Sequence, residues 1–111
     1  MDTSSTLTAL SALAQPHRLA IFRHLVERGP EGAFAGDIAA HLGIPANTLS
    51  FHLKTLQQGG LILPEPLGRN IRYRADFEAM RGLVAYLTEN CCGGDASLCL
   101  PDAAPAKAGC C

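Results

Sequence analysis

The feature that most restricts how this chain can fold is a pair of short helix patterns separated by a glycine-containing turn. In "AGDIAAHLG", Ile38 and Leu42 are four residues apart, and Gly43 stands where helices commonly end in the left-handed conformation. In "IPANTLSFHLKTLQQGG" the apolar residues again share one helical face, which holds Leu49, Leu53 and Leu56. Two short helices joined by about three residues predict a helix-turn-helix motif.

The segments on either side of this motif extend the prediction to a whole domain. Before it, "PHRLAIFRHLVERG" has apolar residues at three- and four-residue spacing, which predicts a helix. After it, "LILPEP" and "IRYRA" indicate short strands, at 61–63 and 71–73, around the turn "LGRN". "DFEAMRGLVAYLTEN" predicts a last helix that Asp76 can cap. The expected fold is mainly α with a small β-hairpin wing, a winged helix-turn-helix.

Charge is nearly balanced over the chain, whose formal net charge is −1, so the total does not indicate a strongly basic nucleic-acid binder. Locally, "GRNIRYR" holds Arg69, Arg72 and Arg74 without an acid, which is enough for phosphate contacts. We find no signal-peptide pattern and no run of about 18 apolar residues, so we expect a cytoplasmic protein without a membrane span. A catalytic Ser/His/Asp set and a phosphate-binding loop are also missing, so we do not expect an enzyme.

The second helix of the motif, the recognition helix, carries the first candidate DNA contacts. A turn of about 100° per residue places its leucines inward and Asn47, Phe51 and Lys54 outward, flanked by Thr48 and Ser50. Asparagine can read adenine, and an aromatic ring can meet a thymine methyl group. The alternative is a merely solvated helix face, but the basic hairpin that follows favours DNA contact.

The wing supplies the second set of candidates. Arg69 and Arg72 flank its turn, and we expect them to reach phosphate or the minor groove; the alternative is solvated hairpin charge. His52 lies at the edge of the apolar helix face, and we expect it to pack between helix and wing rather than to bind DNA or a metal. The other histidines are scattered over separate stretches and are not expected to be ligands.

In order and spacing, these motifs resemble those of the ArsR/SmtB family of winged-helix metal-responsive repressors. The likeness covers roughly residues 7–90 and includes "LSALAQPHRLAIFRHL", "DIAAHLGIPANTLSFHLKTLQQGGLI" and "GRNIRYR". It implies a homodimer in which the first and last helices pair. It also implies that the dimer binds double-stranded operator DNA and releases it when a metal or metalloid binds.

Within that family, the resemblance places the ligands after the last helix. Many of the family's arsenic sensors carry cysteines where this chain has Ala35 and Gly36, and its zinc sensors use ligands such as histidine on the last long helix, which here has no histidine. A smaller branch holds arsenite with an adjacent cysteine pair and one further cysteine beyond that helix. Cys91, Cys92 and Cys99 match this arrangement, which implies As(III) as the effector.

All five cysteines of the chain follow residue 90. A cytosolic protein keeps its thiols reduced, so they are better explained as ligands or sensors than as disulfide partners. Zinc usually takes four nitrogen or sulfur ligands, whereas trivalent arsenic or antimony takes three thiolates. Three close cysteines without a nearby histidine therefore favour a three-coordinate metalloid over zinc. Together with the resemblance this implies As(III), with Sb(III) or a methylated arsenical as alternatives. Cys110 and Cys111 are either auxiliary ligands or thiols of a flexible tail that take no part in binding.

These observations divide the chain into a DNA-binding and dimerisation domain, residues 1–90, and a metalloid-binding segment with a flexible tail, residues 91–111. Two alternatives for the tail stay open. A thiol-redox or persulfide switch would pair Cys91 or Cys92 with Cys99. A metal-buffering or thiol-exchange role is the other alternative, although a recognition helix and a wing would be superfluous for it.

Overall fold

The computed structural model describes residues 1–89, which form five α-helices and a three-stranded antiparallel sheet. A 3₁₀ turn, Gly29–Glu31, follows the second helix. In chain order the elements are α1 Thr3–Leu13, α2 Pro16–Arg28, β1 Ala33–Phe34, α3 Ala35–Leu42, α4 Ala46–Gln58, β2 Ile62–Leu67, β3 Asn70–Ala75 and α5 Phe77–Thr88. The mainly helical fold with a wing is confirmed. All five cysteines lie outside the described residues, so the division into 1–90 and 91–111 stays a prediction.

The helix boundaries follow from local backbone chemistry. Asp76 caps α5 by accepting a hydrogen bond from the Ala79 amide at 3.1 Å, as predicted. Gln15 caps α2 in the same way, accepting from the Arg18 amide at 2.9 Å. Gly43 ends α3 with φ 66° and ψ 33°, which is the left-handed conformation that glycine adopts without steric cost. These caps fix the lengths of the helices that flank the candidate site.

The wing is longer than the sequence predicts. Its strands span Ile62–Leu67 and Asn70–Ala75 rather than 61–63 and 71–73, so the ladder runs through Pro64 and Pro66. Strand order is β1-β3-β2, which leaves β2 at an edge of the sheet, where a proline need not interrupt a hydrogen-bonded ladder on both sides.

A third strand, β1, was not predicted. It pairs with β3, and the close approach requires Gly32, where an added Cβ would lie 2.0 Å from the Tyr73 carbonyl oxygen. Two residues are too few to show an alternating pattern in the sequence.

The core lies between the helices and the inner end of the wing. Its largest fully buried side chains come from α2, α3, α4 and the start of the wing: Ile21, Leu25, Ile38, Leu49, Leu56, Leu61 and Ile62. The apolar residues of α5 lie in two environments: Phe77 and Met80 pack against this core, while Val84 and Leu87 are exposed. Helix α5 also meets α1 through a hydrogen bond between the Thr3 and Tyr86 hydroxyls. The recognition helix α4 is therefore supported from beneath by the centre of the core.

Candidate nucleic-acid interface

The inner face of α4 is set by three leucines. Leu49, Leu53 and Leu56 are all buried, which confirms the predicted orientation of the helix. Helix α3 leads into it through a short turn in which the Ile44 amide donates to the Ala39 carbonyl and the Leu49 amide donates to the Pro45 carbonyl. This turn fixes α4 against α3 and directs the opposite face outward.

The outer face of α4 carries the predicted candidate contacts. Asn47, Ser50, Phe51 and Lys54 are exposed, and Thr48 is half-buried. Phe51 is 64% exposed, which is unusual for an aromatic side chain in a small domain. The helix contains no aspartate or glutamate. A face with amide, hydroxyl and aromatic groups and one cation, without any acid, can approach DNA without charge repulsion.

The two arginines of the wing stand in different environments. Arg69 is exposed beside Gly68, whose φ of +64° forms the hairpin turn. Arg72 lies directly opposite Glu65 in the register and donates to its Oε1, from Nε at 3.0 Å and also from Nη2. In the part of the chain that the structure describes, this is the one salt bridge. The run "GRNIRYR" looks free of acids, and only the strand register brings Glu65 to it.

His52 lies on the underside of α4 and is buried. Its ring lies against Arg18 and His17 of α2 and also meets the ring of the preceding Phe51, whereas the sequence predicts packing against the wing. Its Nδ1 lies 3.5 Å from Arg18 Nη1, and its ring meets the His17 ring edge-on with centroids 5.5 Å apart. Burial first, and then the nearby charges of Arg18 and His17, lower the pKa of His52. Sequence reasoning gave Arg18 no role, although the residue lies in the segment "LSALAQPHRLAIFRHL" quoted for the family resemblance; its contact with α4 depends on the tertiary fold.

A second histidine pair lies between α2 and α3. The rings of His24 and His41 stack with centroids 4.4 Å apart. They line a cavity of about 240 Å³ together with Arg28, Ala33 and Asp37. Burial, followed by the charges of His41 and Arg28, lowers the pKa of His24. Across residues 1–89 no group of three or more His, Cys, Asp or Glu side chains could hold a metal ion.

Helices α1 and α5 expose apolar side chains. Leu7 and Leu10 on α1 and Val84 and Leu87 on α5 are all more than a third exposed. The predicted ligands Cys91, Cys92 and Cys99 and the auxiliary candidates Cys110 and Cys111 lie outside the described residues and stay predictions. None of the helices in residues 1–89 is long and apolar enough to span a membrane.

Known proteins share this fold and part of this sequence. Residues 13–65 match the family described as Helix-turn-helix domain. The HTH-type transcriptional regulator CmtR of Mycobacterium bovis and of Mycobacterium tuberculosis is 37% identical over 73 residues. That match covers 65% of this chain and 59% of the relative, so the chain spans about three fifths of the length of these relatives.

Solved structures give the same picture over a longer part of the chain. An ArsR-like transcriptional regulator from Rhodococcus sp. RHA1 superposes with a TM-score of 0.67 at 27% identity, over 76% of each chain. A homodimeric winged helix-turn-helix DNA-binding domain from Mycobacterium bovis, solved by NMR, superposes with a TM-score of 0.62 at 26% identity. This second match covers 78% of this chain and 81% of that domain.

Proposed function

We propose that this chain, which has the winged helix-turn-helix fold and sequence pattern of ArsR-family transcriptional regulators, binds operator DNA and represses transcription. The observation that carries the proposal is the outer face of α4, which is exposed, free of acids and supported by buried leucines. Asn47, Phe51 and Lys54 would face the major groove, while Arg69 at the wing tip would meet phosphate.

The DNA-binding unit that we propose is a homodimer. Helices α1 and α5 expose leucine and valine side chains that a second copy would cover. The winged helix-turn-helix domain from Mycobacterium bovis, which has the same fold, is homodimeric. A two-fold dimer would place its two α4 helices in successive major grooves, so the operator should contain two related half-sites about one helical turn apart.

As the effector we propose As(III), bound by the thiolates of Cys91, Cys92 and Cys99. The donor set is soft and includes no histidine, which suits a three-coordinate metalloid. Residues 1–89 provide no competing cluster of ligand side chains. These cysteines follow α5 closely in sequence, so ligation there would act on the end of a helix that we place in the dimer interface. If As(III) weakens DNA binding, DNA must weaken As(III) binding by the same factor.

DNA binding is tested by selecting bound duplexes from a random library and then measuring affinity for the selected sequence. We expect Phe51→Ala and Asn47→Ala to weaken specific binding by about ten- to a hundredfold, since each base contact contributes about 1–3 kcal/mol. The control is Arg23→Ala, which removes an exposed side chain from α2. Selection that enriches no common sequence would refute the proposal.

The effector is tested by titrating the protein–operator complex with As(III), Zn(II), Cd(II) and peroxide in parallel. Changing Cys91, Cys92 or Cys99 to Ser should preserve operator binding and abolish release by As(III). Deleting residues 103–111, and with them Cys110 and Cys111, should change the required As(III) concentration only modestly. Release by peroxide but not by As(III) would instead support the thiol-redox switch. Normal As(III) release by the Cys99→Ser protein would refute the three-thiol site.

A further inference from the structure

Arg18 joins three helices at one point. It belongs to α2, its Nε donates to the Ala12 carbonyl of α1 at 2.6 Å, and its Nη1 lies 3.5 Å from His52 Nδ1 on α4. The planar guanidinium can direct donors to both partners at once, which the single ammonium of lysine cannot do with the same geometry. Arg18 therefore links a helix of the proposed dimer interface to the recognition helix.

The same junction brings α1 and the end of α4 into close contact at one point. Ala12 is buried, and a Cβ added at Gly59, directly after α4, would lie only 2.7 Å from the Ala12 Cβ. The last turn of α1 thus touches the end of α4 and is bonded to Arg18, which in turn contacts the middle of α4. The contact leaves no room for a larger side chain at Gly59, but an open cavity of about 420 Å³, lined in part by Ser11, Arg18 and Thr55, lies beside it. The angle of α4 relative to α1 therefore depends on this one contact and on the bonds of Arg18.

The contact depends on the protonation state of His52. A guanidinium has donors and no acceptor, so His52 Nδ1 can contact it favourably only when that nitrogen carries no proton. The groups that face the ring are Arg18 and His17 of α2, while α1 contains no titratable side chain and the nearest cation along α4 is Lys54. Within residues 1–89, including α3 and the wing, no carboxylate raises the pKa of His52, so a proton on Nδ1 would meet uncompensated positive charge.

The direction of the pH effect follows from these surroundings. Burial, Arg18 and His17 lower the pKa of His52 below its usual 6.5, so the folded protein resists a proton that the unfolded chain accepts. The contribution of this site to stability is fully present above about pH 6.5 and is lost as the pH falls from there towards the lowered pKa. A local opening that exposes His52 to solvent would likewise become easier as the pH falls below about 6.5.

We infer that Arg18 is a positioning residue that, together with neutral His52, holds the recognition helix at its DNA-binding angle to α1, and that protonation of His52 releases this hold. The inference rests on the proposed DNA binding. It predicts that operator affinity falls as the solution is acidified. General electrostatics predicts the opposite, because added protons make the protein more positive and strengthen its attraction to phosphate.

The test measures operator affinity between about pH 7.5 and about pH 5.5, the range in which histidine titrates. For the natural sequence we expect affinity to fall towards the acid end of this range. The loss should stay below the roughly tenfold decrease in neutral form that a histidine with its usual pKa would show, because the pKa of His52 is lowered. In the His52→Asn protein, Oδ1 can replace Nδ1 as the acceptor, so affinity should be retained at the higher pH and should not fall with acid. Arg18→Lys should weaken binding at every pH.

His24→Asn is the matched control, because the pKa of His24 is also lowered but its ring stacks between α2 and α3. That variant should keep the acid-induced loss of affinity. A loss of the same size in the His52→Asn protein, or its absence from the natural sequence, would overturn the inference. Circular dichroism at each pH identifies any variant that has unfolded.

A second readout requires no DNA and so separates the inference from the proposed function. Histidine titration by NMR should show His52 with a pKa below 6.5 in the natural sequence. The pKa should move upward in the Arg18→Met protein, which lacks the guanidinium. A His52 that titrates at its usual value, or that does not respond to the loss of Arg18, would overturn the inference even if operator binding is confirmed. Failure of operator binding alone, with the NMR shift present, would refute the proposed function and with it the DNA-binding role of this junction.

Discussion

The recognition helix and the wing, the two surfaces proposed to meet DNA, are built in opposite ways. Helix α4 is held from beneath by buried leucines and by His52, and its outer side chains face solvent. The wing projects as a hairpin with an edge strand, and one of its arginines is already bonded to Glu65. The contrast suggests that α4 supplies a rigid surface for reading bases, whereas the wing supplies charge. Because Glu65 neutralises Arg72, the wing has less positive charge to offer DNA than its number of arginines indicates.

The largest difference between the two regions should appear in stability. Leu56→Ala removes a fully buried side chain under α4 and should lower the free energy of unfolding by about 2–5 kcal/mol. Leu63→Ala makes the same change in the wing, where the side chain is 36% exposed, and should cost about 1 kcal/mol or less. Urea unfolding of both proteins measures the difference. Equal losses would show that the wing is as firmly packed as the helix.

The next difference concerns sequence selectivity. Asn47→Ala should weaken binding to the selected operator by about 1–3 kcal/mol and leave non-specific binding almost unchanged, because an asparagine that reads a base acts only at its own base pair. The free energy of unfolding should stay within about 0.5 kcal/mol, since the side chain is exposed. Competition between the operator and an unrelated duplex of equal length separates the two effects. A uniform loss on both duplexes would assign Asn47 to the phosphate backbone.

The features of the fold that the sequence predicts correctly depend on local rules. The inward leucines follow from the helical period, and Gly43 and Asp76 mark helix ends through their own backbone and side-chain chemistry. The features that it does not predict join distant residues. Arg18 and His52 are 34 positions apart, and Glu65 meets Arg72 only because the hairpin register places them opposite each other. The periodicity of the sequence does not reveal contacts between residues that are far apart in the chain.

A smaller effect should distinguish the two wing arginines. Arg69→Ala should weaken binding to the operator and to unrelated DNA alike, and should reduce the slope of log affinity against log salt by about one phosphate contact. Arg72→Ala should change the slope less, because the Arg72 side chain is already bonded to Glu65. Titrations between about 50 mM and about 200 mM salt give both slopes. Equal changes would mean that Arg72 leaves Glu65 when DNA binds, and an unchanged slope for both would count against any role of the wing.

The smallest effect should come from Glu65 itself. Glu65→Gln removes the charge that holds Arg72 while keeping a side chain of the same length on β2. Because the Glu65 and Arg72 side chains are 45% and 34% exposed, the pair contributes little to stability, and unfolding should change by about 1 kcal/mol or less. Operator affinity should nevertheless rise by a few tenths of a kcal/mol to about 1 kcal/mol, since one negative charge is removed near the phosphates and one arginine is released. The rise should disappear at high salt and in the Glu65→Gln, Arg72→Ala double variant, which serves as the control. If Glu65→Gln weakened binding instead, the ion pair would be orienting Arg72 towards DNA, and the wing would share the rigid construction of α4.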